Sequence, residues 1–460
     1  MDLEFLSVID EKKDFLTDLS DYIWEHPETA FEEFESTKCL CDALRAEGFT
    51  VTENLAGIST AFSGTYGSGK PVIGFLGEYD ALSNLDQQSG MTEPCGIAGK
   101  NGHGCGHNLL GVGSLGAAIA AKRYLEQTGC SGTVVYFGCP GEEGGSGKAF
   151  MARDGAFDHL DAALGWHPEP KNAIYTSLNL ANCQILYKFD GVSSHAATKP
   201  YLGRSALDAV ELMNVGVNFL REHMPDRSRI HYAITNSGGF SPNVVQSHAE
   251  VLYLIRGATT KEATELYQRV NDIATGAALM TGTKTSQEFI KACSNTILND
   301  TIQRVMYEKM QQIGVPEASE EDLAFARELT AKGLAQCPGS DPERPLHLEL
   351  QPYYGQETES WGSTDVADVS WVCPTAQITA AAYAAGTPGH SWQQTTQGKL
   401  PLAHKAMLFT SKVLAATAAE LFQNPDLLEA AKAEHAKRTG PDGYICPIPK
   451  GIRPRAISSL

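Results

Sequence analysis

The run Val72-Ile73-Gly74-Phe75-Leu76 is apolar at every position. A strand of this kind has no polar face to turn to water, so its sheet must be covered on both sides, as in α/β folds. The run stops at Gly77-Glu78-Tyr79-Asp80. The stretch from Leu109 to Tyr124, rich in Ala, Leu and Gly, predicts a buried helix, and Gly132 to Phe137 predicts the next strand. Strand, helix and strand in this order imply an α/β sheet. Ligands of such sheets collect beyond the carboxyl ends of the strands.

Residues 10–48 predict a long amphipathic helical region, interrupted at Pro27 and ending near Gly48, with a short β-rich run at Phe49-Thr50-Val51. From about Asn182 the pattern changes to a strand over Ile185 to Phe189, a helix over Ser205 to Arg221, strands near Ile230 to Ile234 and Ala249 to Ile255, and a helix over Lys261 to Leu279. This is an α+β unit. Beyond Cys293 helices resume, pass a Pro- and Gly-containing stretch at Cys337 to Pro345, and lead to Gly362-Ser363-Thr364-Asp365 and Pro388-Gly389-His390. A chain of 460 residues exceeds one ordinary core. It reads as a first domain in two parts, 1–182 and 297–460, completed after an insertion of 183–296.

The sequence has no internal repeat and no glycine-rich phosphate loop, which argues against nucleotide chemistry. A net charge of −19 disfavours nucleic acid and anionic membranes as partners. A small acidic substrate stays open, because a local basic pocket can override the net field. The N-terminus, Met1-Asp2-Leu3-Glu4-Phe5, has no basic region followed by an apolar run, and no stretch of about eighteen apolar residues occurs, so a cytoplasmic protein is expected. Eleven irregularly spaced cysteines are then expected as reduced thiols.

Chemistry concentrates in a few short segments. Gly102-His103-Gly104-Cys105-Gly106-His107-Asn108 sets two strong metal-ligand types among glycines at the start of a predicted helix, where Cys105 and His107 can both turn inward and the helix N-terminus favours a thiolate. Pro140-Gly141-Glu142-Glu143-Gly144-Gly145 follows a predicted strand. Adjacent carboxylates point in different directions, so one can ligate while its neighbour handles protons. His167 follows another short apolar strand, in Leu164-Gly165-Trp166-His167-Pro168. His390 sits in a loop stiffened by Pro388, and His195 belongs to the inserted unit, from which it reaches a metal only by domain closure or from a second subunit.

Taken in order, Cys105-Gly106-His107, Glu142-Glu143, Trp166-His167, Ser194-His195-Ala196 and Pro388-Gly389-His390 resemble the metal-dependent amidohydrolases of the aminoacylase and carboxypeptidase type, peptidase family M20. The likeness covers nearly the whole chain. Gly102 to Gly111, Gly138 to Gly147 and Gly203 to Val215 bring it nearest to the branch acting on p-aminobenzoyl-glutamate, whose relatives include hydrolases of indole-acetyl amino acid conjugates and dipeptidases. The resemblance implies an α/β, two-domain fold: a mixed-sheet metallopeptidase-like catalytic domain with an inserted α+β, ferredoxin-like lid and dimerisation domain. It implies two divalent ions, manganese or zinc, on Cys105, His107, Glu143, His167 and His390, with Cys105 as bridge and Glu142 as general base. It also implies that His195 and Asn243 hold the scissile carbonyl and that Arg256 meets a substrate carboxylate.

The implied reaction is hydrolysis of the amide bond of an N-acyl amino acid, such as p-aminobenzoyl-glutamate or an indolyl-acyl conjugate, by activated water. A dipeptidase of the same family is the alternative, and a non-catalytic metal-binding subunit of a two-subunit hydrolase is a different class of reading. The implied partners are a small substrate and a second copy of the chain, or a second hydrolase subunit. Asn108 stands where the auxin-conjugate branch commonly carries Asp, which weakens the transfer of that branch's substrate to this chain but not of its metal chemistry. Trp24 to Glu33 resembles the family's helix-break signature and is expected to be structural, with His26 outside the ligand set. A zinc nucleobase deaminase needs a Pro-Cys-x-x-Cys that neither Cys139 nor Cys373 supplies.

Overall fold

The computed structural model describes residues 3–456; Met1, Asp2 and residues 457–460, on which part of the N-terminal reading and the outer ends of the first domain fall, lie outside the described residues. An eight-stranded mixed sheet forms the larger layer. At its centre Val72–Gly77 pairs in parallel with Gly132–Gly138 and with Ala162–Glu169, and Ala162–Glu169 pairs in parallel with Thr375–Ala381. Antiparallel neighbours extend it outward, Phe62–Ser68 on one side and Lys171–Ile174 on the other. Every residue of Val72–Gly77 and Gly132–Gly138 is buried, as an apolar strand covered on both faces requires.

One face of the sheet is covered by the helices His107–Thr128, Asp300–Ile313 and Pro401–Gln423, whose Leu115, Ile302 and Leu414 join Phe75 and Trp166 in one core. The other face packs on Gly147–Arg153 and Val366–Val372 through Phe150 and Val369. Because the four central strands run the same way, their carboxyl ends meet at one edge. That edge carries Glu78 and Asp80, then Gly141 to Glu143, and the end of the strand that holds His167.

The second unit is a four-stranded antiparallel sheet with two helices, in the order strand Ala181–Asp190, helix Ala206–Leu220, strands Arg229–Asn236 and His248–Gly257, helix Thr260–Thr281, strand Lys284–Cys293. Its first strand lies between the last and the third, the ferredoxin-like βαββαβ arrangement. Val251, Tyr253 and Ile255 are buried on its helix-covered face, while the alternate residues of the same strand are only half-buried.

Two local expectations are corrected and one strand is added. The helical region does not break at Pro27 alone: helices span Lys13–Glu25 and Phe34–Ala46, and the intervening residues form a loop at whose end Glu33 accepts from the Gly141 N–H. His167 lies inside the strand Ala162–Glu169, not after it. Phe62–Ser68, with glycines at two of seven positions, is a strand that its composition concealed. Among the described residues no helix is long and apolar enough to cross a membrane.

Candidate metal centre

Two left-handed glycines aim the principal side chains. Gly106 (φ 78°) caps the helix that His107 opens, and a Cβ there would lie 2.0 Å from the Tyr383 hydroxyl. Gly141 (φ 67°) starts the turn that presents Glu142 and Glu143, and its N–H donates to Glu33 Oε1 at 2.8 Å. A side chain at either position would be strained as well as crowded. His390 also takes a left-handed conformation (φ 54°), uncommon for a residue with a Cβ. It is held there because its N–H donates to Gly104 O at 3.0 Å and Gln394 Oε1 at 3.1 Å.

These elements bring Cys105, His107, Glu142, Glu143, His167 and His390 together. Donor atoms of Cys105, His107 and His167 lie within 4.8 Å of one another, as do those of Cys105, Glu143 and His390, and those of His107, Glu142 and Glu143. Cys105 Sγ is 3.4 Å from His167 Nε2, and His390 Nε2 is 3.0 Å from Glu143 Oε1. Two trios therefore share one thiol, the pattern of a bridging ligand. His107 Nε2 is buried without a hydrogen bond, a desolvation cost that a ligated cation would remove. Soft sulfur with imidazole and carboxylate suits zinc and admits manganese.

The protein's own charges divide the two carboxylates. Burial raises the Glu142 carboxyl well above its ordinary range, and Glu78, Glu143 and Asp365 add to the rise. Burial opposes ionisation of Glu143 too, but a hydrogen bond from His390 and the nearby His107 outweigh it and hold that group down to about 2. The expected help of the helix N-terminus to the Cys105 thiolate is overridden: burial, then the charge of Glu143, push the thiol well up. A thiolate at Cys105 thus depends on a cation beside it.

His195 and Asn243 are not brought into the cleft. They sit together, exposed, on the smaller unit, where Ala196 N–H donates to Asn243 O at 2.9 Å. Arg256 adjoins the cleft, its Nη1 donating to Ser363 Oγ at 2.7 Å, and Ser363 lines the same cavity as Cys105, Glu142, His167 and His390. His103 is structural: buried, with Nε2 3.0 Å from Ile23 O, its imidazole pushed down to about 3 by burial. His26 stacks on Tyr22 away from the donor trios, and Asn108 donates to Ser20 Oγ and Gly398 O inside the core, so its departure from Asp is a packing feature.

Four residues that carry no motif complete the centre. Asp80 Oδ1 lies 2.9 Å from His107 Nδ1 and its Oδ2 accepts from Glu143 N–H at 2.8 Å, so one carboxylate orients two donors. Buried Lys148 joins Glu78 Oε1 at 2.7 Å to Asp365 Oδ1 at 2.6 Å. Glu78 and Asp80 stand just beyond a buried strand, and that position was the signal that could have found them. Asp80→Ala is expected to weaken metal retention by about 10–100-fold, measured by competition with a chelator; wild-type affinity would remove Asp80 from this role.

The sheet edge, the shared thiol and the paired carboxylates define a metallohydrolase of the two-domain peptidase kind. The chain belongs to peptidase family M20/M25/M40, whose sequence profile matches residues 74–439, and is accordingly a hydrolase of amide bonds. It is 49% identical over 461 aligned residues to a subunit of the p-aminobenzoyl-glutamate hydrolase of Escherichia coli (strain K12), covering 96% of each chain. It is 30% identical to the Xaa-Arg dipeptidase of Mus musculus over 93% of this chain and 90% of the relative. In fold it is similar to the aminobenzoyl-glutamate utilization protein from Klebsiella pneumoniae, with a TM-score of 0.64 at 17% identity, over 92% of this chain and 99% of that one. A dinuclear metal binding peptidase of family M20 from Bacillus subtilis matches with a TM-score of 0.59 at 17% identity, over 90% and 99%.

Proposed function

We propose that this cleft hydrolyses the amide bond of an N-acyl amino acid with an aromatic acyl group, p-aminobenzoyl-glutamate being the first substrate to test. The observation that carries the reading is the pair of donor trios meeting at Cys105 with Glu142 beside them. In this reading Cys105, His107, Glu143, His167 and His390 hold two divalent ions, zinc or manganese. When bound, such ions supply Lewis-acid polarisation of the carbonyl and lower the pKa of water. Glu142 then takes a proton from the attacking water and delivers it to the leaving nitrogen.

His195 Nδ1 accepts from the backbone N–H of Ala197 and Thr198, at 3.2 and 3.3 Å. The neutral ring's proton is therefore on Nε2, a donor suited to a developing oxyanion. Residues 183–296 serve in this reading as a lid that carries His195 and Asn243 to a cleft by closure, or to that of a second copy. The edge strand Arg229–Asn236 exposes Tyr232 and Ile234, and the helix Ala206–Leu220 exposes Leu212, Val215 and Phe219. An apolar unpaired edge of this kind favours a homodimer through the lid. The complete donor set with Glu142 favours an active chain over a metal-binding accessory to a second hydrolase subunit. All eleven cysteines are free thiols, in keeping with the cytoplasm.

The test is to strip the protein with chelator, restore zinc or manganese, and assay p-aminobenzoyl-glutamate, N-acyl amino acids and dipeptides, with molar mass measured in parallel. Activity is expected only after metal return, from a dimer, and highest on the aryl amide. Full activity of the stripped protein would overturn the metal reading, and an active monomer the lid dimer.

A further inference from the structure

On the face of the smaller sheet turned away from its helices, Arg256 stands in register between Arg229 on one neighbouring strand and Asn182 on the other. Directly opposite residues of antiparallel strands share a face, so two guanidinium groups are set side by side. Like charges in that position destabilise a sheet. Acidic residues outnumber basic ones 55 to 36 in this chain, yet no carboxylate among the described residues lies within ion-pair distance of either group. Arg256 donates to the neutral Ser363 hydroxyl, and Arg229 Nη1 donates to Asp226 O and Ser228 O, both at 2.7 Å. Two adjacent guanidinium groups with only neutral partners are suited to receive an anion.

Its place says which anion. The Arg229 guanidinium lies 4.2 Å above the Trp361 ring, and Trp361 is two residues from Ser363 in the wall of the cleft that holds Glu142 and Glu143. Stacking on an indole fixes the plane of a guanidinium, and with Nη1 held by the two carbonyls the Nε and Nη2 edge remains for bidentate contact with a carboxylate. Arg256 therefore adjoins the cleft wall directly through Ser363, and Arg229 stands beside it on Trp361.

We propose that Arg229 is a specificity-determining residue: beside Arg256, which takes the α-carboxylate, it binds a second carboxylate on the side chain of the amino acid released. The substrates are then N-acyl derivatives of acidic amino acids, and a basic side chain at this place is repelled. This inference rests on the reading of the cleft as an amide-hydrolysing site.

The test uses the full-length, metal-loaded protein and two readouts. Calorimetric binding of N-acetyl-L-glutamate is expected to be roughly 10–100-fold tighter than that of N-acetyl-L-glutamine, the range of one charge-assisted pair. In Arg229→Gln that ratio falls towards one, and in Arg229→Lys, which keeps the charge but not the fork, it is only partly kept. In the assay, p-aminobenzoyl-glutamate is preferred to p-aminobenzoyl-glutamine, the preference residing in KM and lost in Arg229→Gln. Equal binding of the two acids by the unsubstituted protein, or an unchanged ratio in Arg229→Gln, would overturn the inference. Retained binding preference without cleavage of either amide would instead overturn the reading of the site and leave the clamp standing.

Discussion

Glu142→Gln is expected to lower kcat on an N-acyl amino acid by about 10²–10⁴-fold, the usual contribution of a positioned general acid and base. The substitution keeps the size of the side chain and removes its ionisable oxygen, and Glu142 is outside the proposed ligand set, so metal content and KM should change little. Burial, then Glu78, Glu143 and Asp365, raise the affinity of Glu142 for its proton. A base must be ionised to act, so kcat/KM falls as the pH drops through the pKa of Glu142, and that acid limb disappears from the residual activity of the variant. Metal analysis, the two kinetic constants and the pH profile check each part. A variant within tenfold of the unsubstituted enzyme would assign the base elsewhere.

The second large effect is on stability. Lys148 is fully buried between Glu78 and Asp365, and its backbone N–H also donates to Asp365 Oδ2 at 2.8 Å. Lys148→Met leaves two buried carboxylates without their cation, at a cost of about 3–5 kcal/mol, because a buried charge stripped of its partner keeps its full desolvation penalty. Unfolding should begin several degrees lower in a thermal melt. Adding Glu78→Gln and Asp365→Asn to Lys148→Met is expected to restore much of the loss, since neutral groups carry less of that penalty. If the triple variant melts well below Lys148→Met, the ion cluster is not what Lys148 supports.

How much of this was legible in the sequence differs from element to element. Val72 to Leu76 disclosed a doubly covered strand because every residue in it is apolar. The βαββα order of the smaller unit followed from alternating periodicities between Ile185 and Leu279, whereas its last strand, Lys284–Cys293, is set by its ladder with Ala181–Asp190. Phe62–Ser68 escapes a sequence reading because its glycines and hydroxyls look like a turn, and it is a strand because Gly132–Gly138 offers it a ladder. His167 reads as following its strand for a similar reason: the ladder with Thr375–Ala381 continues to Glu169, past where the apolar run ends.

The ligand candidates were legible because Cys105, His107, Glu142 and Glu143 stand in short glycine-rich segments, where local spacing limits what the residues can do. Local spacing cannot show which distant carboxylate meets which donor. Asp80 beneath His107, Glu33 on the turn of Glu142, Lys148 between Glu78 and Asp365, and Arg229 beside Arg256 are pairings of residues far apart in the chain or on separate strands. Sequence alone determined the fold class, the order of the two units and the chemistry of the donor set, since these follow from periodicity and residue type. The tertiary structure alone decided which side chains orient, neutralise or leave uncompensated those groups, because a buried charge interacts through space with whatever folding brings beside it, irrespective of its position along the chain.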